Sequence, residues 1–285
     1  MARKGTLMAS LILLAIYIGI AAFGPCLAPY ASSEIAGSPL EEPGRLHLLG
    51  TNDLGQDIFS NLLCGARATL VLGFLGALLS VLTALTFGTI SAYYGGRTDE
   101  IISRIVDIMM TLPGFPLLIV LVVFLPSSIF IMAAIMGLLG GLQGIRIIRS
   151  QVLSISRAEY IYGTRALGAS DHYIMSRHIL PGILPLAAVT FINAAQRFML
   201  MGVGLGFLGL GDPNVVDWGQ MISRAYSNGG FALGLWWWLL PPGLAVVLLS
   251  MTLALIGYGL EEEIEPRLKN INNSKWFTNG YARNN

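Results

Sequence analysis

The sequence predicts an all-α, polytopic membrane protein with about six transmembrane helices, and three observations carry that prediction. Hydrophobic residues make up 54% of the 285-residue chain and charged residues only 12%, roughly half the charge of a soluble domain; mean hydropathy is +0.69. Apolar runs of about 20 residues recur, the length that crosses a hydrocarbon core of about 30 Å at about 1.5 Å per residue. Thirty-four glycines suit helices that approach one another closely in lipid. A formal charge of +1 with no basic patch gives no footprint for nucleic acid.

The predicted spans are Leu7–Leu27, Ala68–Tyr93, Ile105–Leu125, Ser128–Ile145, Leu186–Leu208 and Trp236–Tyr258. Arg3 and Lys4 followed by "GTLMASLILLAIYIGIAA" have the form of a signal peptide. The apolar run is longer than a usual signal core and a large proline-bounded loop follows, so it reads as an uncleaved first span. The chain then divides into a first span plus loop (1–67), a transmembrane domain (68–262) and a polar tail (263–285). Lysine and arginine placement sets the orientation. With the N-terminus inside, thirteen basic residues fall in inner segments and three, Arg45, Arg67 and Arg224, in outer loops; Arg197 lies within a span. Both termini and the segment 146–185 are thereby expected in the cytoplasm, with the chain in the plasma (inner) membrane.

On the outer side lie Pro29–Gly65 and Gly211–Gly234. Ile58, Leu62 and Leu63 fall at helical spacing opposite Asp57, Ser60 and Asn61, which predicts a short interfacial helix. Trp236, Trp237 and Trp238 predict an aromatic belt at the membrane boundary. Cys26 and Cys64 form neither a metal spacing nor a disulfide framework and read as two inert thiols. No GxxxxGK[ST] phosphate loop is present. Gly204–Gly209 satisfies GxGxxG, but it ends a membrane span and follows no strand, so close helix packing is the better reading. Without a nucleophile beside a base, a carboxylate pair or a metal cluster, the sequence assigns no catalytic, metal or cofactor site.

The unusual stretch is "TRALGASDHYIMSRHILPGILP" (Thr164–Pro185), too polar for lipid yet flanked by spans. Ser154–Leu167 reads as a helix with Ile155, Ala158 and Tyr162 on one face. Gly168 breaks it, Ser170 or Asp171 caps a second helix, and Pro181 and Pro185 end the excursion. Such a hairpin suits docking on another body. An ordinary loop whose arginines enforce orientation is the competing reading.

This segment resembles the permease signature of bacterial and archaeal ABC importers, in which a glutamate and two alanines precede a glycine and a later isoleucine-x-leucine-proline. Gly168, Leu180 and Pro181 match. Tyr162, Gly163 and Thr164 stand where the glutamate and alanines would be, and His178 replaces the isoleucine. "RALGAS" and "HILP" are similar to the dipeptide, oligopeptide and nickel permeases of that family. So are Leu49–Arg67, Tyr93–Ile119, Phe207–Ile222 and "EPRLK", in the same order along the chain. The resemblance implies a coupling hairpin that sits in a groove of a cytoplasmic ATPase, with Arg165, Ala166, Leu167 and Ala169 at the contact and Gly168 at the reversal. Glu159, one turn before Tyr162, is the nearest carboxylate to take the missing glutamate's part. It further implies a second similar permease, two ABC ATPase subunits that bind the ATP and magnesium, and an extracytoplasmic solute-binding protein. The cargo would be a di- or oligopeptide, with a nickel complex as the alternative.

Within the fifth span, Asn193, Gln196 and Arg197 stand at i, i+3 and i+4 and share a face. A mid-span arginine costs about 2.5–3.5 kcal/mol on insertion scales, so this face is expected to turn from lipid. It either lines a solute path, pairs with a partner's carboxylate, or forms a structural hydrogen-bond network. Asp99, Glu100 and Asp107 are expected to pair with Arg97 and Arg104. The rival class, a gradient-driven secondary transporter, usually shows paired internal repeats and several intramembrane ions; no clear inverted repeat is visible.

Overall fold

The computed structural model describes residues 2–264, with side chains over 5–262. The tail from 265 lies outside the described residues, as do the "EPRLK" match beyond Glu263–Ile264 and the basic residues expected there. Helix α1 is Ala2–Leu27, α2 Ile58–Tyr94, α3 Gly96–Thr111, α4 Gly114–Phe124 and α5 Ile129–Ser156. Then come α6, Glu159–Ala166, and α7, Asp171–Ile174, which runs through a π-helical turn, Met175–Ile179, into α8, Leu180–Phe207. Helices α9, Trp218–Ser227, and α10, Trp236–Ile264, complete the order. Among the described residues no strand forms, only an isolated bridge between Thr51 and Asp57. Five helices are long and apolar enough to cross a membrane, or six if the bent pair α3–α4 is one span.

Helix α2 is 37 residues long, about 55 Å at the α-helical rise, and therefore projects beyond a hydrocarbon core. It packs chiefly along α5, and glycine lets the two helices approach. A Cβ on Gly137 would stand 2.6 Å from Leu79 Cβ and 2.9 Å from the Gly76 carbonyl oxygen. Lipid tails are as apolar as leucine, so helix association in a membrane depends on such close packing. Ala77, Met132, Met136, Ala195 and Phe198 fill the middle of the bundle, where α4 joins through Leu118 and Val122.

Several expectations change here. The interfacial helix at 58–63 is the first turn and a half of α2. Asp57 caps it by accepting from the Ser60 N–H at 2.7 Å, and Ser60 Oγ donates to the same carboxylate at 2.7 Å. Ser60 and Asn61 are buried, and the loop binds Ser60, whose Oγ accepts from the Tyr30 N–H at 3.2 Å. The third span is broken: α3 and α4 meet at 85° across Leu112 and Pro113, because a proline disfavours helix at the residue before it. The aromatic belt reduces to Trp236, 55% exposed; Trp237 and Trp238 are in the core with Trp218. Consecutive helical residues point about 100° apart, so three in a row cannot all face the boundary.

The acidic residues of α3 also find different partners. Glu100 pairs with Arg104 at 2.6 Å as expected. Asp99, however, accepts from Arg149 Nε and Nη2 at 2.6 and 2.5 Å, and Asp107 pairs with Arg146. Two ion pairs thus strap α3 to α5 across a gap that local spacing could not foresee.

At the opposite end Asp217 is the N-cap of α9. Its Oδ1 accepts from the Gln220 N–H at 2.9 Å and its Oδ2 from Gln220 Nε2 at 2.6 Å. The carboxylate lies against Gly206, where a Cβ would stand 2.4 Å from Oδ1. Within GxGxxG the packing reading therefore holds for Gly206. Gly209 instead closes α8 at φ +78°, and Gly204 has only ordinary contact with Phe115.

Candidate functional site

The hairpin between α5 and α8 begins where α5 ends at Ser156. Ala158 is extended, and α6 follows for eight residues. Its end is a Schellman closure: the Ala169 N–H donates to the Thr164 carbonyl at 3.3 Å and the Gly168 N–H to that of Arg165 at 3.0 Å. This closure needs a left-handed residue, and Gly168 holds φ +85°, where a side chain costs about 1–2 kcal/mol. Ser170 then caps α7 by accepting from the Tyr173 N–H at 3.3 Å.

The root of the hairpin is apolar. Ile161 of α6 and Ile174 of α7 are fully buried with Ala84 and Ala92 of α2 and Ile148 and Val152 of α5. Of the face expected on α6, Ile155 and Ala158 do pack on this cluster. Tyr162 does not: it is 57% exposed, and Ile161 takes the inward position because the helix restarts at Glu159. The tip points away from the bundle, with Leu167 90% exposed. Glu159, Gly163, Ala166 and Gly168 are exposed and Ala169 is half-buried.

The prolines do not end the excursion. Helix continues through both, and Leu180 and Pro181 lie exposed at the start of α8. In a regular helix the Pro181 ring would press on the carbonyl four residues back, which is that of Arg177. Here Arg177 sits in the widened π-helical turn, so the second limb of the hairpin is a direct extension of α8.

Sequence spacing missed the contact that Arg165 makes. Its Nη2 donates to the Tyr93 hydroxyl at 3.1 Å and lies 3.6 Å from Asp171 Oδ1. Neither partner carried a signal, because Tyr93 is 72 residues away and both lie in segments whose local pattern is satisfied without the contact.

The polar face of α8 divides between two neighbours. Asn193 Nδ2 donates to Glu261 Oε1 of α10 at 2.9 Å, and its carboxamide rests on Gly257. Gln196 Nε2 donates to Ser250 Oγ of α10 at 3.2 Å. Arg197 turns to α5, where Nη1 donates to Gln143 Oε1 at 2.8 Å; the residue is exposed. The hairpin and this face are therefore two ends of one element, with Pro181 near one and Arg197 four turns on.

Among the described residues no group of three or more His, Cys, Asp or Glu side chains is placed to hold a metal. Both cysteines are free.

Residues 84–270 match the family described as binding-protein-dependent transport system inner membrane component. The oligopeptide transport system permease protein OppC of Bacillus subtilis (strain 168) is 32% identical over 92% of this chain and 86% of its own length. The glutathione transport system permease protein GsiD of Pectobacterium atrosepticum is 32% identical over 94% and 89%. The dipeptide transport system permease protein DppC of Alkalihalophilus pseudofirmus is 34% identical over 91% and 85%.

Proposed function

Because this chain belongs to the family of inner membrane components of binding-protein-dependent transport systems, we propose that it is the permease subunit of an ATP-driven peptide importer. It works beside a second, similar permease. Two ATPase subunits bind and hydrolyse ATP at the hairpin end, and an extracytoplasmic binding protein delivers cargo at the loop end. Peptides are assigned as cargo because the relatives at 32–34% identity are named for oligopeptides, dipeptides and glutathione.

The observation that carries the reading is the hairpin itself, inside the matched region. Its apolar root is anchored on α2 and α5, while Leu167 stands 90% exposed at the tip. An exposed apolar tip on a fixed root fits a groove on another protein. The ATPase contact is assigned to Arg165, Ala166, Leu167 and Ala169, with Glu159 and Gly163 at its margin, and Leu180 and Pro181 carry movement into α8. Arg197, exposed and hydrogen-bonded to the neutral Gln143, is assigned to the wall of the solute path with Asn193 and Gln196.

Reconstitution tests this. Uptake of a defined di- to pentapeptide pool into proteoliposomes should require ATP, the second permease and the ATPases, and a cysteine at Leu167 or Ala169 should cross-link to the ATPase. Gradient-driven uptake by this chain alone would replace the importer with a secondary transporter.

A further inference from the structure

The hairpin and α2 meet at one side chain. Tyr93 stands in the last turn of α2, and its hydroxyl donates to Asp171 Oδ1 at 2.5 Å. The same hydroxyl accepts from Arg165 Nη2 at 3.1 Å, and the guanidinium carbon lies 5.7 Å from the Tyr93 ring centroid. Arg165 belongs to α6 and Asp171 opens α7. One phenol therefore ties both limbs of the hairpin, on either side of Gly168, to the end of a third helix.

The chemistry requires a hydroxyl on an aromatic ring. A phenol donates and accepts at one oxygen, so it can accept a hydrogen bond from the arginine while donating one to the carboxylate. The ring face supplies cation attraction as well. Phenylalanine would keep the ring and lose both hydrogen bonds.

The hairpin is also held by its apolar root and by the chain at its two ends, and none of these fixes its direction relative to α2. The apolar root is held by burial, which is non-directional, and the chain leads from the hairpin to α5 at one end and through the π-helical turn to α8 at the other. Among the described residues, the Tyr93 node is the directional hydrogen-bonded link from the hairpin to α2. Stability is a poor explanation for it: the Arg165 and Asp171 side chains are 53% and 59% exposed, and exposed pairs of this kind add little.

We infer that Tyr93 is a positioning residue that makes α2 move with the hairpin, so that a displacement at the tip reaches two spans, α8 and α2, together. This rests on the reading of the hairpin as the ATPase contact. Asp171 and Arg165 act through Tyr93 and are the two sides of the same joint.

The test uses the complete transporter in proteoliposomes, with the di- to pentapeptide pool as the probe, and reads ATP hydrolysed per peptide imported. Wild type is compared with Tyr93→Phe, Asp171→Ala and the double variant, each also carrying Leu167→Cys for cross-linking to the ATPase. Tyr93→Phe is expected to keep the cross-link and continue hydrolysing ATP while the ATP-to-peptide ratio rises about fivefold or more, the lower range of coupling between sites. The double variant should be no worse than the worse single, since both remove one interaction. A wild-type ratio in Tyr93→Phe, or a double-variant loss equal to the product of the singles, overturns the inference and leaves the importer reading intact. Loss of the cross-link together with hydrolysis also overturns it, because Tyr93 would then merely hold the hairpin in place. Absence of the cross-link in the wild-type background takes down both.

Discussion

Gly168 concentrates the local physics of the hairpin into one residue. It sits at φ +85° with no atom within 4 Å of where a Cβ would be, so a substitution there is penalised by backbone conformation alone. Gly168→Ala should cost about 1–2 kcal/mol at the turn and lower coupled uptake in proteoliposomes with the subunit still assembled. Gly168→Pro fixes φ near −65°, which the Schellman closure cannot accommodate, and should leave ATP hydrolysis running while uptake is lost. Wild-type uptake by Gly168→Pro would remove the hairpin from the coupling path. A second residue makes its prediction through pH. Burial pushes the Asp217 carboxyl above its ordinary range, against the hydrogen bonds from Gln220 that favour the ionised form. The folded chain thus holds this proton more tightly than the unfolded chain does. Its contribution is complete below the unfolded value of about 3.9 and is lost as pH rises through the raised folded value. Thermal unfolding in detergent should show that decline in wild type and a shallower one in Asp217→Asn, which cannot ionise; identical slopes would refute the assignment. Asp217→Ala, which also loses the cap of α9, should destabilise by about 1–2 kcal/mol at all pH values.

Between elements, the α2–α5 contact is the one most sensitive to volume. An alanine at Gly137 would need to displace Leu79 Cβ and the Gly76 carbonyl, neither of which is the loose end of a side chain. Gly137→Ala should therefore destabilise by about 1–3 kcal/mol, the usual cost of overpacking. Gly243→Ala in α10, with nothing within 4 Å, should not. Equal midpoints for the two in a detergent melt would show that close approach of α2 and α5 is not what holds the pair. Element by element, the sequence was most legible where one period or one residue decides the outcome: apolar runs marked the spans, Gly168 marked the turn and Ser170 the cap. It was least legible where a distant element supplies the deciding partner. Asp99 has Arg104 nearby in sequence but pairs with Arg149, 50 residues on, because α5 passes beside α3. Pro181 looked like a terminator because its clash is local, while the π-helical turn that relieves it is a property of the whole α7–α8 run. Helical spacing put Asn193, Gln196 and Arg197 on one face of α8, yet the division of their hydrogen bonds between α10 and α5 depends on how three helices pack.

For the molecule as a whole, everything assigned to the hairpin depends on which side of the membrane it occupies. The basic residues make the argument: by sequence thirteen fall in segments expected on the hairpin side, the tail beyond the described residues included, against three in the loops expected opposite, and such a bias sets topology by holding cationic segments on the cytoplasmic side. Helix order agrees, since α1, α3 and α8 begin and α2, α5 and α10 end at the hairpin end. Two exposed leucines report the two sides independently, Leu167 at 90% and Leu46 at 78%. Cys26 is exposed and Cys64 partly so, so both are first replaced by serine. In intact cells a membrane-impermeant maleimide should label Leu46→Cys at once and Leu167→Cys only after the membrane is opened. The reverse pattern would place the hairpin outside, beyond the reach of any ATPase. Labelling of both in sealed cells would mean that the 146–185 segment is not held on one side, and the positive charges would then have no topological part. The expected pattern leaves a single geometry in which force applied at Leu167 enters the membrane along α8 and, through Tyr93, along α2.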